Sequence, residues 1–165
     1  MPVRVQSQPG PRAETDGYAV RRIHHVGITV AQLDRSLVFY RDVLGMKVVG
    51  LCDEEDVGAI VGLPGARARI ADLDAGNGQI LELLEYLSPD GASQAHRPDL
   101  VGSCHISLQV DDLSAALSRL AIAGVVPVGE PAKLSGGGVW QDCLVVYLRD
   151  PDGVFVELIE GGASG

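Results

Sequence analysis

Apolar and polar positions alternate from residue 25 to residue 30. Val26, Ile28 and Val30 share one face of an extended chain, and His25, Gly27 and Thr29 share the other. The period then lengthens. Leu33, Leu37, Tyr40 and Leu44 fall at i, i+4, i+7 and i+11, the apolar stripe of a helix. The same switch recurs 80 residues later, where HVGITVAQLDRSL (25–37) lies over HISLQVDDLSAAL (105–117). His25 meets His105, Val30 meets Val110, Leu33 meets Leu113 and Leu37 meets Leu117. Leu113, Leu117 and Leu120 repeat the helical stripe. Asp111 and Asp112 offer an N-cap to the second helix. The first helix has only Ala31 and Gln32 there, partly offset by Asp34 in its first turn. Gly45 and Gly124 stop the two helices.

Three further strand-like stretches follow each helix, at about 46–52, 67–73 and 79–86, then at about 125–129, 142–149 and 154–160. NG (77–78) and DPDG (150–153) mark the turn before the last strand of each half. Each half therefore reads β-α-β-β-β, an α+β chain of two tandem modules at 21–87 and 101–161. The join, SPDGASQAHRPDL (88–100), is polar and holds proline, as a linker does. Residues 1–20 read as a flexible tail without the apolar core of a signal peptide.

Alternation sorts every strand into a helix-facing side and an opposite side. His25 and His105 fall on the opposite sides of their strands, where the neighbours are small and polar; His24 begins the helix-facing side. In QILELLEY (79–86) the opposite side is Ile80, Glu82 and Leu84; in VFVELIE (154–160) it is Phe155, Glu157 and Ile159. Each half thus sets one carboxylate between two apolar neighbours, a costly place for an unpaired charge. Glu85 and Glu160 fall on the other face near strand ends, where solvent can reach them. The repeat yields two imidazoles and two carboxylates in matched positions, and a divalent metal is the economical partner for that set.

HHVGITVAQLDRSLVFYRDVLGM and DPDGVFVELIE resemble the opening and closing segments of the glyoxalase/bleomycin-resistance/extradiol-dioxygenase group, the vicinal oxygen chelate superfamily. The resemblance spans residues 22–160. It implies an open, cup-shaped eight-stranded sheet built from the two modules, with the helices on its outer face, commonly in homodimers. Metal-using members take a His from the first strand and a Glu from the last strand of each module, which carries over to His25, Glu82, His105 and Glu157. The resemblance implies an enzyme of lyase, isomerase or epimerase type; the alternatives are an Fe(II) dioxygenase or a protein that sequesters an antibiotic or natural product.

Two open positions on a six-coordinate ion could take neighbouring oxygens of a small-molecule substrate, with Glu157 or Glu82 as the proton shuttle. Zn, Ni, Co, Mn and Fe(II) all suit the mixed N/O set. Further expected substrate contacts are Trp140, on a Gly-rich flap (131–140), Tyr147 on the penultimate strand, and Arg67 and Arg69, which share a strand face. A net charge of −9 repels a phosphate backbone and argues against nucleic acid. No apolar run approaches the roughly 20 residues of a membrane span. Three cysteines, Cys52, Cys104 and Cys143, without a CxxC pair suggest free thiols in a reducing, cytoplasmic setting.

Overall fold

The computed structural model describes residues 19–89, 97–134 and 140–162. Most of the expected tail, the middle of the linker (90–96) and the glycines of the expected flap (135–139) lie outside them. In the first half β1 (His25–Thr29) leads to α1 (Leu33–Leu37), which continues as a π-helical segment, Val38–Val43. Then come β2 (Lys47–Asp56), the short α2 (Gly58–Val61), β3 (Arg67–Asp74) and β4 (Ile80–Ser88). The second half holds β5 (His105–Val110), α3 (Leu113–Ile122), β6 (Ala132–Lys133), β7 (Leu144–Arg149) and β8 (Phe155–Glu160). The strands form two four-stranded sheets, ordered β1-β4-β3-β2 and β5-β8-β7-β6. In each, the first strand runs parallel to the last and the other pairs are antiparallel.

Two sequence expectations need correction. The apolar stripe predicts one regular helix to Leu44, but the helix widens after Leu37, so that the Leu44 N–H reaches back five residues to Phe39 O at 2.9 Å. In a regular helix neighbours point about 100° apart. The wider turn lets adjacent Phe39 and Tyr40 both reach the core, edge to face at 5.0 Å. The strand expected at 125–129 does not form. Pro127 has no N–H to donate, Val128 alone bonds to Tyr147 O at 2.8 Å, and the pairing with β7 is made by Ala132 and Lys133 instead.

One core takes residues from both modules: Ile28, Leu33, Leu81 and Leu83 from the first, Leu113, Val146, Val156 and Leu158 from the second. These are the helix-facing positions that alternation selects. A polar lock adds to them. The buried Tyr40 hydroxyl donates to Asp150 Oδ2 at 3.0 Å, and Asp150 Oδ1 accepts the N–H groups of Asp152 and Val154 at 2.9 and 2.7 Å. Asp152 in turn accepts the Ala31 N–H at 3.2 Å and ion-pairs with Arg35.

The helix starts add something the strand pattern did not foresee. Glu85 and Glu160, half-buried near their strand ends, each accept the first helical N–H of their module, Leu33 at 3.1 Å and Leu113 at 2.6 Å. The sequence makes Asp112 a cap, and it does accept the Ala115 N–H at 2.8 Å, whereas Gln32 caps nothing with its side chain. Glu160→Ala should therefore lower unfolding stability by about 1 kcal/mol in urea titrations, through one orphaned donor at a positive helix end. An unchanged midpoint would mean that water replaces the carboxylate without loss.

Candidate functional site

The parallel pairing of β1 with β4 places Gly27 opposite Glu82, one step from His25. His25 Nε2 then lies 3.7 Å from Glu82 Oε1, with both side chains partly open to solvent. The ring's other nitrogen is occupied: His25 Nδ1 and His24 Nδ1 share a hydrogen bond of 2.9 Å, and the two rings meet edge to face. His24 thus orients its neighbour and leaves Nε2 turned to the carboxylate, the usual support for an imidazole ligand.

The second module repeats this. His105 Nε2 lies 3.9 Å from Glu157 Oε2, on an imidazole 46% exposed and a carboxylate only 10% exposed. Tyr147, directly opposite Glu157 in the β7–β8 register, sets its hydroxyl 3.2 Å from His105 Nε2. Its ring packs edge to face on His105 and on Phe155. Burial, then the charge of Glu157 and a hydrogen bond to it, push the Tyr147 phenol above its ordinary pKa, so the group stays a proton donor at neutral pH.

The four expected ligands therefore come together as two pairs. No hydrogen bonds join β1 to β5, and among the described residues no group of three or more His, Cys, Asp or Glu side chains is placed to hold an ion. The apolar faces of both sheets share one core, so the faces bearing the pairs turn away from it. Two ligand atoms on one ion, each about 2.0–2.2 Å from it, sit no more than roughly 4.4 Å apart. The spacings of 3.7 and 3.9 Å fall within that limit.

A family profile described as Glyoxalase/Bleomycin resistance protein/Dioxygenase superfamily matches residues 22–158. The chain belongs to this superfamily. It is similar to a 2-epi-5-epi-valiolone epimerase from an Actinomyces species, 34% identical over 148 residues that cover 83% of this chain and 78% of the relative. A probable lactoylglutathione lyase from Vibrio cholerae is 27% identical over 139 residues, 84% of this chain and 90% of that one. Mitochondrial methylmalonyl-CoA epimerase from Mus musculus is 30% identical over 141 residues, 83% and 71% of the two chains. A glyoxalase family protein from Bacillus cereus shares the fold with a TM-score of 0.76, at 22% identity over 91% of this chain and 100% of that one. The relatives are epimerases and lyases, which places this superfamily member with the isomerase- and lyase-like enzymes.

The other expected contacts divide. Tyr147 stands beside the second pair. Trp140, half-exposed, opens the turn into β7, its carbonyl accepting the Cys143 N–H at 3.4 Å. The arginines lie elsewhere. Arg69 is opposite Glu85 in the β3–β4 register, hence on the helix-facing side, where it bonds Glu85 at 3.0 Å and Asp34 at 3.1 Å. Arg67 pairs with Glu54 at the start of β3. Both are neutralised by acids of the first module, away from the His–Glu face. Asp72, directly opposite Glu82 in the register, takes part in neither arginine's ion pairs. No disulfide joins Cys52, Cys104 and Cys143, and no helix among the described residues is long and apolar enough to cross a membrane.

Proposed function

We propose that the chain is a metal-dependent enzyme of isomerase or lyase type, which grips neighbouring oxygens of a small-molecule substrate and moves a proton at the carbon beside them. We infer further that a homodimer completes each site, the His25–Glu82 pair of one protomer facing the His105–Glu157 pair of its partner. The observation that carries both is the duplicated His–Glu pair on a polar face turned outward, two ligands short of a full set. The unpaired outer edges of β1 and β5 are the matching strand edges through which two copies would join. The epimerases and lyases among the relatives support the reaction type.

His25, Glu82, His105 and Glu157 would hold the ion, with Zn, Ni, Co, Mn and Fe(II) all compatible with the donors. When bound, such an ion polarises a substrate carbonyl as a Lewis acid. The rest falls to side chains. Glu157, enclosed between Phe155 and Ile159 on its strand face, takes the proton from the carbon next to the carbonyl. Glu82, on the facing wall, relays a proton from solvent to the opposite side of that carbon, which inverts it, and Glu157 gives its proton back to solvent. The Tyr147 hydroxyl donates to the oxygen on which negative charge develops.

Protein purified without chelators should carry about one divalent ion per chain by elemental analysis. It should also exchange solvent deuterium into the carbon beside the carbonyl of an α-oxygenated ketone, acid or thioester. Protein that stays metal-free after incubation with Ni, Zn, Mn and Fe(II) would overturn the reading. Tight binding of a small molecule without exchange would point to sequestration.

A further inference from the structure

On the His–Glu side of the second sheet, one register row reads His105, Phe155 and Arg149, one residue each from β5, β8 and β7. The next row is Ser107, Glu157 and Tyr147. Arg149 therefore shares a face with the second ligand pair, and with the Tyr147 hydroxyl that reaches His105 Nε2. No other lysine or arginine stands among the described strand residues of that face. Lys133, in β6, is opposite Leu144 and belongs to the helix-facing side.

The Arg149 side chain is held at two points. Its guanidinium carbon lies 4.2 Å from the centre of the Phe155 ring, and Nη1 donates to Gly153 O at 3.0 Å. Phe155 is itself fixed, 4% exposed and edge to face with Tyr147 at 6.0 Å. Stacking occupies one face of the guanidinium and leaves its N–H edges directed along the plane. The residue as a whole is exposed, so a ligand lying on this face can reach it. The stack also draws the charge across from β7 to β8. The next residue of β8 on that face, about 7 Å along the strand, is Glu157.

Charge decides what that arrangement takes. Two glutamates offset a divalent ion and the imidazoles are neutral ligands, so the metal set brings no net charge of its own. The chain carries −9 overall, a field that repels anions. A fixed guanidinium beside the second ligand pair reverses that field locally. The first module supplies no counterpart: Arg69 bonds Glu85 and Asp34 on the helix-facing side, and Arg67 pairs with Glu54. Asp72, the acid next to Glu82 in the row, sets its Oδ2 beside Gly50 of β2, on the far side of Glu82 from His25. A planar fork of N–H donors matches two oxygens of a carboxylate or a phosphate, a match that a hydroxyl or a hydrocarbon does not offer.

We propose that Arg149 is a specificity-determining residue that pairs with an oxyanion of the substrate, separate from the oxygens at the metal, so that the site selects oxygenated carbonyl compounds bearing a distal carboxylate or phosphate. This deepens the reading given above and rests on it for the placement of the substrate at the His–Glu pairs. The test titrates Mn(II)-loaded protein calorimetrically with two pairs of compounds, each pair sharing a chelating head: 2-oxoglutarate against 2-oxohexanoate, and dihydroxyacetone phosphate against dihydroxyacetone. Wild type should bind the member with the distal anion about 10-fold or more tightly in at least one pair, and the pair that shows it tells carboxylate from phosphate. Arg149→Gln should lower that preference about 10- to 100-fold, the loss typical of a charge-assisted hydrogen bond, and Arg149→Lys should restore part of it. Phe155→Leu, which keeps an apolar side chain but removes the ring under the guanidinium, should lower the preference in the same direction. A general loosening of the fold weakens both members of a pair alike and leaves the ratio unmoved. No preference for the distal anion in either pair, the same preference in wild type and Arg149→Gln, or no binding of any of these compounds overturns the proposal. Protein that takes up no Mn(II) but still prefers the distal anion in an Arg149-dependent way would overturn the metal reading and leave this one standing.

Discussion

Mixing two inactive variants, His25→Ala and His105→Ala, is expected to restore about a quarter of the wild-type sites once the protomers have exchanged at random. Alone, each variant lacks one imidazole in every site and should lose about 10²-fold or more in turnover, together with most of its metal. In the mixed dimer the outcome depends on how the site is built. If each site joins the His25–Glu82 face of one protomer to the His105–Glu157 face of its partner, one site of the mixed dimer lacks both histidines and the other keeps both. Half of the dimers are mixed and half of their sites are whole. If instead each chain closed its own site, every site would lack one histidine and mixing would recover nothing. Recovered activity and recovered metal should appear together, and a mixture as empty as its parents would sink the shared site. The reason to expect recovery is the separation of the two pairs within a single chain, which offers neither pair the other's ligands.

The second large effect concerns stability. Asp150→Ala is expected to cost about 3–5 kcal/mol, measured as the unfolding free energy in urea at neutral pH. The carboxylate is buried and gathers three donors: the Tyr40 hydroxyl and the N–H groups of Asp152 and Val154. Removing it strands all three in the region where the helical stretch of the first module meets the turn before β8. A loss below about 1 kcal/mol would show that water enters and satisfies them. The charge itself works the other way. Burial raises the Asp150 pKa above its ordinary 3.8, more than its hydrogen bonds lower it. The folded protein therefore holds that proton more tightly than the unfolded chain. The resulting stability is complete below about pH 4 and fades as pH rises through the raised value. Asp150→Asn carries no such proton. The stability of wild type minus that of Asp150→Asn should accordingly fall across the pH range above 4. A difference that grows with pH would mean that the ionised carboxylate is the better-held form.

Much of this was legible from residue order alone. Alternation is local: with a period of two, the sequence of a strand decides which side chains share a face, whatever the strand later pairs with. That is why His25, Glu82, His105 and Glu157 could be picked out as matched polar-face positions, and why Leu33, Leu113 and Leu158 could be assigned to the core. The repeat added the module plan. Register is different, because it depends on the number of residues in a turn. The NG signal marks the β3–β4 turn, but the loop proves to be three residues, Gly76, Asn77 and Gly78, all with positive φ, closed by the Ala75 N–H on Gln79 O at 2.9 Å. A turn one residue shorter would have set Asp72 against Leu83, on the helix-facing side. Arg69 went astray for the same reason: its partners Asp34 and Glu85 come from a helix and a strand that only folding brings to it.

The amino-acid order by itself determined two β-α-β-β-β units, their apolar and polar faces, and one imidazole and one carboxylate on the polar face of each. The tertiary structure decided that the eight strands divide into two sheets, that the helix-facing sides of both fill one core, and that the two His–Glu pairs consequently lie on faces turned away from that core. Strand faces follow from covalent geometry repeated every second residue, whereas the meeting of two faces is settled by burial of apolar surface across the whole chain, which no local pattern encodes.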